Sequence, residues 1–298
     1  MKRILSLLLL AFTAAASAQA QHALVIQTDF GVKDGAVAAM KGVAFGVDPH
    51  LAIFDLSQEN TPYDIWEAAY RLHQTCPYWP EGTVFVSVID PGVGTERLSV
   101  VLKTKTGQYF VGPDNGTWTL IAEEFGVEAV RRIDEKSNRR PGSEKSYTFH
   151  GRDIYAYTGA RLASGKITFE QVGPLLDTKI VSLPYAKPGL KDGVLIGTIP
   201  TLDFHYGNVW TNIPDTLFGE LKPAFGDKFA VTIFHDGKEV YRGVIPYVRT
   251  FGDVKEGEPL LYLNSLLNVS FALNMGSFSE KFGLASGGTW TTRVERVK

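Results

Sequence analysis

The fold is decided between residues 23 and 56, where the chain reads ALVIQTDFGVKDGAVAAMKGVAFGVDPHLAIFDL. Ala23–Gln27 is a short apolar run, Asp34–Gly46 has the pattern of a helix, and Leu51–Leu56 is a second apolar run. A strand, a helix and a second strand in this order are typical of a parallel sheet with a crossover helix. The stretch therefore predicts an α/β fold.

The same alternation continues to about residue 185. A second helix is predicted to begin at Thr61 as N-cap, with Pro62 at the first helical position and an apolar stripe that ends at Cys76. Strands alternating with helices indicate a Rossmann-like, mainly parallel sheet with helices on both faces. The further predicted elements are strands at Val84–Ile89, Ser99–Lys103 and Tyr109–Val111, and helices at Thr117–Phe125 and Asp153–Ala163.

After about residue 190 helical spacing is nearly absent, and Asp236-Gly237 is a hairpin signal between two apolar runs. Lys187-Pro188-Gly189 lies at the change and is the natural linker. We predict an N-terminal α/β domain at 21–188 and a smaller antiparallel β domain, a barrel or a sandwich, at 189–298. Its predicted strands are Val194–Ile199, Val209–Ile213, Phe229–Phe234, Glu239–Val248, Pro259–Leu263, Val269–Leu273 and Thr289–Val297.

The first twenty residues have the pattern of a secretory signal peptide. A basic start, Met1-Lys2-Arg3, precedes an apolar run from Ile4 to Ala16 and then small residues that suit cleavage. A membrane anchor is the alternative, but the apolar run is too short to span a bilayer comfortably. We expect residues 1–20 to be removed and the mature protein to be periplasmic or extracellular, without membrane attachment.

Charge and cysteine content exclude several classes of protein. The chain has 30 basic and 32 acidic residues, and loss of Lys2 and Arg3 would leave a net charge of −4. No basic run is present, which argues against a nucleic-acid partner. Cys76 is the only cysteine, so the chain has no internal disulfide and no thiolate zinc site, and six histidines without ligand spacing argue against any metal site. Phosphate-loop, dinucleotide-binding and serine-hydrolase motifs are absent from the sequence.

Polar residues follow the predicted strands at their carboxyl ends, where ligands bind in an open α/β sheet. The first strand ends in Thr28-Asp29-Phe30-Gly31, and the third is followed by Asp90 and Arg97. His150 precedes the last helix of the domain. An aspartate, an arginine and a histidine on one edge can form a single small site, whereas Pro113-Asp114-Asn115-Gly116 alone is better explained as a turn.

Six motifs in order resemble those of the S-adenosyl-L-methionine (SAM) hydroxide adenosyltransferases, the water-using relatives of fluorinating and chlorinating enzymes. The resemblance runs from about residue 24 to 297. It implies an α/β domain followed by a β-barrel domain, and homotrimers whose active sites lie between the N-terminal domain of one subunit and the C-terminal domain of the next. The motifs are TDFG (28–31), DPGVGTER (90–97), VGPDNG (111–116), FHGRD (149–153), YGNVWTN (206–212) after Asp203, and YLNS (262–265).

The resemblance implies hydrolysis of SAM to adenosine and methionine by attack of water on the ribose C5′. SAM is then the substrate, and no cofactor is expected. Asp90, Arg97 and His150 correspond to the family's water-activating triad. Because Arg97 stays protonated, either Asp90 or His150 is the base.

The resemblance also assigns the substrate contacts. Ala36 and Leu266 depart from the family pattern near the methionine end, where a hydroxyl and a glycine are common in relatives. The assigned residues are Asp29 for the ribose hydroxyls, Tyr63 and Phe251 for the faces of the nucleoside, Asn208 for the adenine edge, and Asp203 and Ser265 for the methionine amine and carboxylate.

Two other functions remain open from the sequence. A SAM-dependent halide adenosyltransferase is the first, but the carboxylate of Asp90 would repel a halide ion. A non-catalytic exported protein that binds a nucleoside or SAM is the second, although a binder has no need of Asp90, Arg97 and His150 together.

Overall fold

The computed structural model describes residues 22–297, so the predicted signal peptide at 1–20 lies outside the described residues. No helix within the described range is both long and apolar enough to cross a membrane. The N-terminal part consists of β1 (Leu24–Thr28), α1 (Ala36–Val47), β2 (Ile53–Ser57), α2 (Ile65–Thr75), β3 (Val84–Val88), β4 (Ser99–Thr104), β5 (Tyr109–Pro113), α3 (Thr119–Phe125), β6 (Val127–Arg132), α4 (Glu135–Asn138), a π-helical turn (Gly151–Ala156), α5 (Tyr157–Ala163) and β7 (Leu175–Leu176).

These strands form one seven-stranded sheet in the order β2-β1-β3-β5-β4-β6-β7. The first four strands pair in parallel, as predicted. The remaining strands add an antiparallel flank, which includes β6 and β7, two strands absent from the sequence prediction. The parallel strands end at one edge of the sheet, and this edge positions the candidate site.

Helices cover both faces of the sheet, as the alternation of strands and helices predicts. On one face, α1 and the segment from the π-helical turn through α5 bury Met40 and Ile154 against β1 and β3. On the other face, α2 and α3 bury Leu72 and Ile121, together with Cys76, in a second core. Cys76 is a buried thiol whose pKa is raised to about 12, chiefly by burial.

The start of α2 differs from the prediction. The N-cap is Asp64, whose Oδ1 accepts a hydrogen bond from Glu67 N at 2.9 Å, and Thr61 lies in the turn before it. Tyr63 has a φ of +67°, which no α-helix allows. Its backbone N–H donates to Asp29 Oδ2 at 2.9 Å. A long-range contact with the β1 loop therefore replaces the local capping pattern.

The C-terminal part contains two antiparallel sheets, in agreement with the predicted antiparallel domain; closure into a barrel stays a prediction. The four-stranded sheet has the order β10-β11-β15-β14, and the five-stranded sheet β13-β12-β16-β9-β8. Two short α-helices and a 3-10 turn (Phe251–Asp253) also occur among the described residues of this part, where the sequence shows almost no helical spacing. The elements are β8 (Gly189–Lys191), β9 (Val194–Ile199), β10 (Thr201–Asp203), β11 (Asn208–Pro214), α6 (Asp215–Gly219), β12 (Lys228–His235), β13 (Lys238–Pro246), β14 (Pro259–Leu263), β15 (Asn268–Leu273), α7 (Phe278–Phe282) and β16 (Gly287–Arg296).

Trp66 of α2 holds the two parts together. Its Nε1 donates to Pro200 O at 3.0 Å, and its ring packs on Tyr185 with centroids 5.0 Å apart. Tyr70 and Trp210 are buried in the same cluster. This contact fixes the C-terminal sheets beside α2.

Candidate active site

A cavity lies where the loops after β1 and β3 meet the start of the π-helical turn. Asp29 follows β1, Asp90 lies two residues beyond β3, and His150 immediately precedes the turn. The cavity has a volume of about 370 Å³, and it occupies the edge of the sheet at which α/β proteins bind ligands. It is lined by Asp29, Phe30, Pro62, Tyr63, Val88, Asp90, Val93, Thr148, Phe149, His150 and Gly151.

A tight loop places Asp90 and Arg97 side by side. Thr95 donates from both its N and its Oγ1 to Gly92 O, at 3.0 and 2.7 Å, and Gly94 takes a φ of +78°, which glycine adopts without strain. Arg97 Nε then donates to Asp90 Oδ1 at 2.9 Å, and Nη2 donates to Oδ2 at 2.5 Å. The result is a bidentate, charge-assisted pair.

This pair is almost entirely removed from solvent, with side-chain exposures of 5% for Asp90 and 11% for Arg97. Burial alone would lower the pKa of Arg97, but the hydrogen bond and the negative charge of Asp90 raise it above its usual value. Arg97 is therefore a permanent donor. A buried pair of this kind is costly unless its remaining hydrogen-bonding groups are satisfied.

His150 completes the cluster. Its Nδ1 lies 2.9 Å from Arg97 Nη2. Because a guanidinium can only donate, Nδ1 must accept, and a neutral ring then carries its proton on Nε2. Burial, and next the positive charge of Arg97, lower the pKa of His150 below its usual 6.5. The ring is thus neutral at pH 7 with an Nε2–H donor, and this buried atom has no hydrogen-bond partner within residues 22–297.

Two residues that the sequence analysis missed support Arg97 from behind. Arg97 Nη1 donates to Ser99 Oγ at 3.0 Å, and Ser99 Oγ lies 3.0 Å from the hydroxyl of Tyr155. The Tyr155 ring lies 5.7 Å from the Arg97 guanidinium and contacts His150 edge-on. Burial raises the pKa of Tyr155, so its hydroxyl stays protonated. A tyrosine in an apolar helical pattern gives no sequence signal of such a role.

Asp29 and Tyr63 form the opposite wall. Asp29 Oδ2 accepts the Tyr63 N–H, while Oδ1 makes no hydrogen bond within the described residues and can accept from a ligand. Tyr63 is 73% exposed, and its left-handed backbone conformation is strained for a non-glycine residue. Tyr63 lines the cavity and is not part of the core.

The other predicted substrate contacts lie in the C-terminal part, around a second cavity of about 630 Å³. Asp203, Asn208 and Phe251 line it. Asn208 is buried, and its Nδ2 donates to Asp203 Oδ2 at 3.1 Å. Phe251 is 40% exposed and packs on Tyr262 with ring centroids 5.0 Å apart.

Ser265 lies elsewhere, in a cleft of about 750 Å³ between α2 and the C-terminal part, which Asp203 also lines. Within residues 22–297 of one chain, no cavity described above brings the Asp90 cluster together with Asn208 or Phe251. A single chain thus places the predicted site residues around separate cavities. We define the N-half as the cavity of Asp29, Tyr63, Asp90 and His150, and the C-half as the cavity of Asp203, Asn208 and Phe251.

The Pro113-Asp114-Asn115-Gly116 segment is a structural turn. Asn115 Nδ2 donates to Ile89 O at 2.9 Å, and Asp114 Oδ1 accepts from Val181 N at 3.0 Å. Neither side chain lines the N-half. The turn interpretation is confirmed, with the addition that Asn115 anchors the backbone immediately before Asp90.

Comparison with known proteins identifies the family. The model of the SAM hydroxide adenosyltransferase N-terminal domain matches residues 24–173, and that of the C-terminal domain matches residues 197–291. A crystal structure of an uncharacterized conserved protein from Thermotoga maritima is similar, with a TM-score of 0.83 and 35% identity, over 92% of this chain and 100% of that one.

Curated relatives include hydrolases and fluorinases. An (R)-S-adenosyl-L-methionine hydrolase from Methanocaldococcus jannaschii is 44% identical over 47% of this chain, but the match spans only about half (52%) of that relative. A hydrolase of the same name from Thermus thermophilus is 34% identical over 87% of this chain and 95% of its own length. A fluorinase from an Actinoplanes species is 31% identical over 90% and 96%. The chain belongs to the SAM hydroxide adenosyltransferase family.

Proposed function

We propose that the protein hydrolyses SAM to adenosine and L-methionine, with water attacking the ribose C5′. The observation that carries the proposal is the buried Asp90–Arg97–His150 cluster on the wall of the N-half. The names of the hydrolase relatives specify (R)-SAM, and we propose the same sulfur epimer as the substrate here.

The cluster can hold one water in a defined orientation. His150 Nε2–H donates to the water oxygen, and the Asp90 carboxylate accepts one of its protons through a lone pair that Arg97 leaves free. This arrangement favours Asp90 as the base, because the Nδ1 of His150 is already occupied by Arg97. The second lone pair of the water then faces the substrate.

The reaction balances without a further group. The water oxygen forms a bond to C5′, the C5′–S bond breaks with its electron pair going to sulfur, and one water proton passes to Asp90. Methionine leaves as a neutral thioether, so its departure needs no acid. No metal ion or cofactor is required by this scheme, and positioning and proton transfer supply the rate enhancement.

The remaining residues bind the substrate. Asp29 Oδ1 accepts from the ribose hydroxyls, Tyr63 and Phe251 flank the nucleoside, and Asn208 pairs with the adenine edge. Asp203 and Ser265 bind the amine and carboxylate of the methionine part. These roles follow the family resemblance; the shared cavities support them for Asp29 with Tyr63 and for Asp203 with Asn208 and Phe251, whereas the role of Ser265 rests on the resemblance and on the cleft that it shares with Asp203.

Water rather than halide is the nucleophile because of charge. A halide at the water position would lie beside the buried carboxylate of Asp90, where like charges interact strongly. Arg97 compensates that carboxylate, but four of its five N–H groups already donate to Asp90, Ser99 and His150. A fluorinase among the relatives makes this distinction worth testing directly.

We further propose a homotrimer with each complete site between two subunits. Separation of the N-half from the C-half in one chain supports this assembly, because each half lacks contacts that the substrate needs. On the same resemblance we propose that the two C-terminal sheets form the family's β-barrel, and that the mature protein is exported after loss of residues 1–20.

One labelled-water experiment tests the reaction. Purified protein is incubated with (R)-SAM in ¹⁸O-water, with and without excess fluoride or chloride. We expect ¹⁸O in the adenosine 5′-hydroxyl, none in methionine, and no 5′-halo-5′-deoxyadenosine. A halogenated nucleoside would establish the halide alternative, and SAM binding without adenosine release would establish the binding-protein alternative.

A further inference from the structure

A cationic cavity lies away from both half-sites. It has a volume of about 730 Å³ and includes none of the residues assigned above to catalysis or substrate binding. One face of α1 forms its floor, and four basic side chains surround it. Within the described chain, no acidic residue lines it; the lining residues are Ala39, Gly42, Val43, Gly46, Val47, Arg140, Arg152, Tyr157, Arg161 and Lys166.

Two of the four cations are held in place by backbone and amide oxygens. Arg161 Nη1 donates to Ser137 O and to Asn138 Oδ1, both at 2.7 Å. Lys166 Nζ donates to Val47 O at the carboxyl end of α1. These bonds fix the side chains while leaving other N–H groups free, which lowers the entropic cost of binding an anion.

The other two cations share one carboxylate. Asp153 is completely buried and accepts from Arg152 Nε and Nη2 at 2.7 and 2.8 Å. Arg140 Nη1 is 4.0 Å from the same carboxylate, and its guanidinium makes no hydrogen bond within residues 22–297. The four cationic side chains and the carboxylate of Asp153 together carry a net charge of +3. A chain with a formal net charge of −2 thus concentrates positive charge in one concave place.

The floor of the cavity is apolar and open. Gly42 and Gly46 of α1 present no side chain, and a Cβ placed on either would meet nothing within 4 Å. Ala39 and Val43 lie beside them, and the Tyr157 ring forms one wall. Such a surface suits a carbon skeleton, and the volume lies in the usual range for small-molecule sites.

We propose that this cavity binds a small organic phosphate, with the phosphate on the arginines and the apolar body on α1, and that its occupancy slows catalysis through the π-helical turn. A phosphate matches three guanidiniums and an ammonium better than a single carboxylate, since it carries up to two charges and accepts bidentate hydrogen bonds. The slowing of catalysis rests on the proposed function, whereas the binding of a phosphate does not.

The link to catalysis is the turn itself. Asp153 N donates to Phe149 O at 3.0 Å, and Asp153 O accepts from Arg140 N at 2.8 Å, so the backbone of Asp153 is bonded to the residue immediately before His150 and to Arg140 of the cavity. A phosphate that accepts from Arg152 and Arg140 competes with Asp153 for them. The buried carboxylate then loses its compensating charge, and the backbone that positions His150 is loosened.

Binding is measured by calorimetric titration of the assembled wild-type protein, without SAM, using inorganic phosphate, pyrophosphate and phenyl phosphate. We expect one site per chain and tighter binding of phenyl phosphate than of inorganic phosphate. Arg140→Gln removes the least constrained cation and should weaken binding roughly tenfold, the loss of one charge-assisted hydrogen bond. Arg242→Gln is the matched control, because Arg242 is an exposed arginine of β13 and does not line the cavity. This variant should bind phenyl phosphate as tightly as wild type does.

Different results would overturn the phosphate site and its effect on catalysis. No binding of any probe, or equal binding by Arg140→Gln and Arg242→Gln, would overturn the site. At saturating phenyl phosphate, SAM cleavage by wild type should fall at least twofold, with the same concentration giving a smaller effect in Arg140→Gln. Binding with an unchanged rate would overturn the regulation alone. Absence of SAM cleavage under all conditions would instead contradict the proposed function and leave the binding result standing.

Discussion

The N-half and the C-half of the proposed site are built on different principles. In the N-half, Asp90, Arg97 and His150 are buried and locked by charge-assisted hydrogen bonds. In the C-half, one hydrogen bond joins Asn208 to Asp203, and the aromatic ring of Phe251 is substantially exposed. The comparison indicates that the N-half is organised for chemistry before the substrate arrives, whereas the C-half completes its contacts on binding.

The largest effect should come from the charge of Asp90. Asp90→Asn preserves shape but removes the proposed base and the partner of Arg97, so kcat should fall by roughly 10²- to 10⁴-fold while SAM affinity changes little. Asp114→Asn is the matched control, because that carboxylate serves a turn. Stopped assays for adenosine give kcat, and calorimetry gives affinity. Unchanged turnover in Asp90→Asn would refute the assignment of the N-half.

Subunit mixing tests whether the halves belong to different chains. Asp90→Asn disables the N-half and Asp203→Ala weakens the C-half, so each homotrimer should be poorly active. When the two variants are co-expressed, random mixing in the proposed trimer should leave about a quarter of all sites with two intact halves. Activity should therefore return toward that fraction of wild type. If both halves came from one chain, mixing would restore nothing.

Asp29 is expected to affect binding instead of chemistry. Asp29→Ala removes the acceptor for the ribose hydroxyls and also the bond that holds Tyr63. A hydrogen bond to a charged group contributes about 1.5–3 kcal/mol, so KM should rise by roughly 10- to 100-fold. Initial rates over a range of SAM concentrations separate KM from kcat. A fall in kcat alone, with KM unchanged, would move Asp29 into the chemical step.

Most of the N-half could be predicted from the sequence, because its residues follow patterns within short segments of the chain. Apolar runs with polar turns at their ends revealed β1 and β3, so Asp29 and Asp90 could be placed on one edge of the sheet. Tyr155 could not be found, because an aromatic residue at helical spacing has the pattern of ordinary core. The false N-cap at Thr61 has a similar cause: the contact of Tyr63 with Asp29 spans 34 residues, and local propensity does not register it.

The pH profile examines the neutral state of His150. Burial and Arg97 lower its pKa below 6.5, so the ring is neutral above that pH and gains a proton only in more acidic solution. Protonation puts a hydrogen on Nδ1, facing the Arg97 donor, and breaks the cluster. We expect kcat to be independent of His150 ionisation well above the lowered pKa of this residue, and to fall by up to tenfold per pH unit below that pKa. His235→Gln, on an exposed histidine, should leave that limb in place; activity that rises as the pH falls below 6.5 would contradict the tautomer assignment.

The smallest expected effect on kcat comes from Tyr155 and Ser99, which contact Arg97 on the side away from the cavity. Tyr155→Phe removes one hydroxyl and keeps the ring against Arg97 and His150. Ser99 then loses its partner and holds Arg97 less firmly. A neutral hydrogen bond contributes about 1 kcal/mol net, so kcat should fall roughly threefold to tenfold with KM unchanged.

A structural effect can be told apart from a positioning effect with Tyr70→Phe. Tyr70 is also buried, and its hydroxyl has no hydrogen-bond partner in the part of the chain that the structure describes. Its removal should leave kcat at the wild-type value. Ser99→Ala should lower kcat like Tyr155→Phe, and the double variant should cost less than the two single changes added together, because both act through Arg97. Full additivity, or an equal loss in Tyr70→Phe, would show that Tyr155 contributes only to packing and that the organisation of the N-half ends at Arg97.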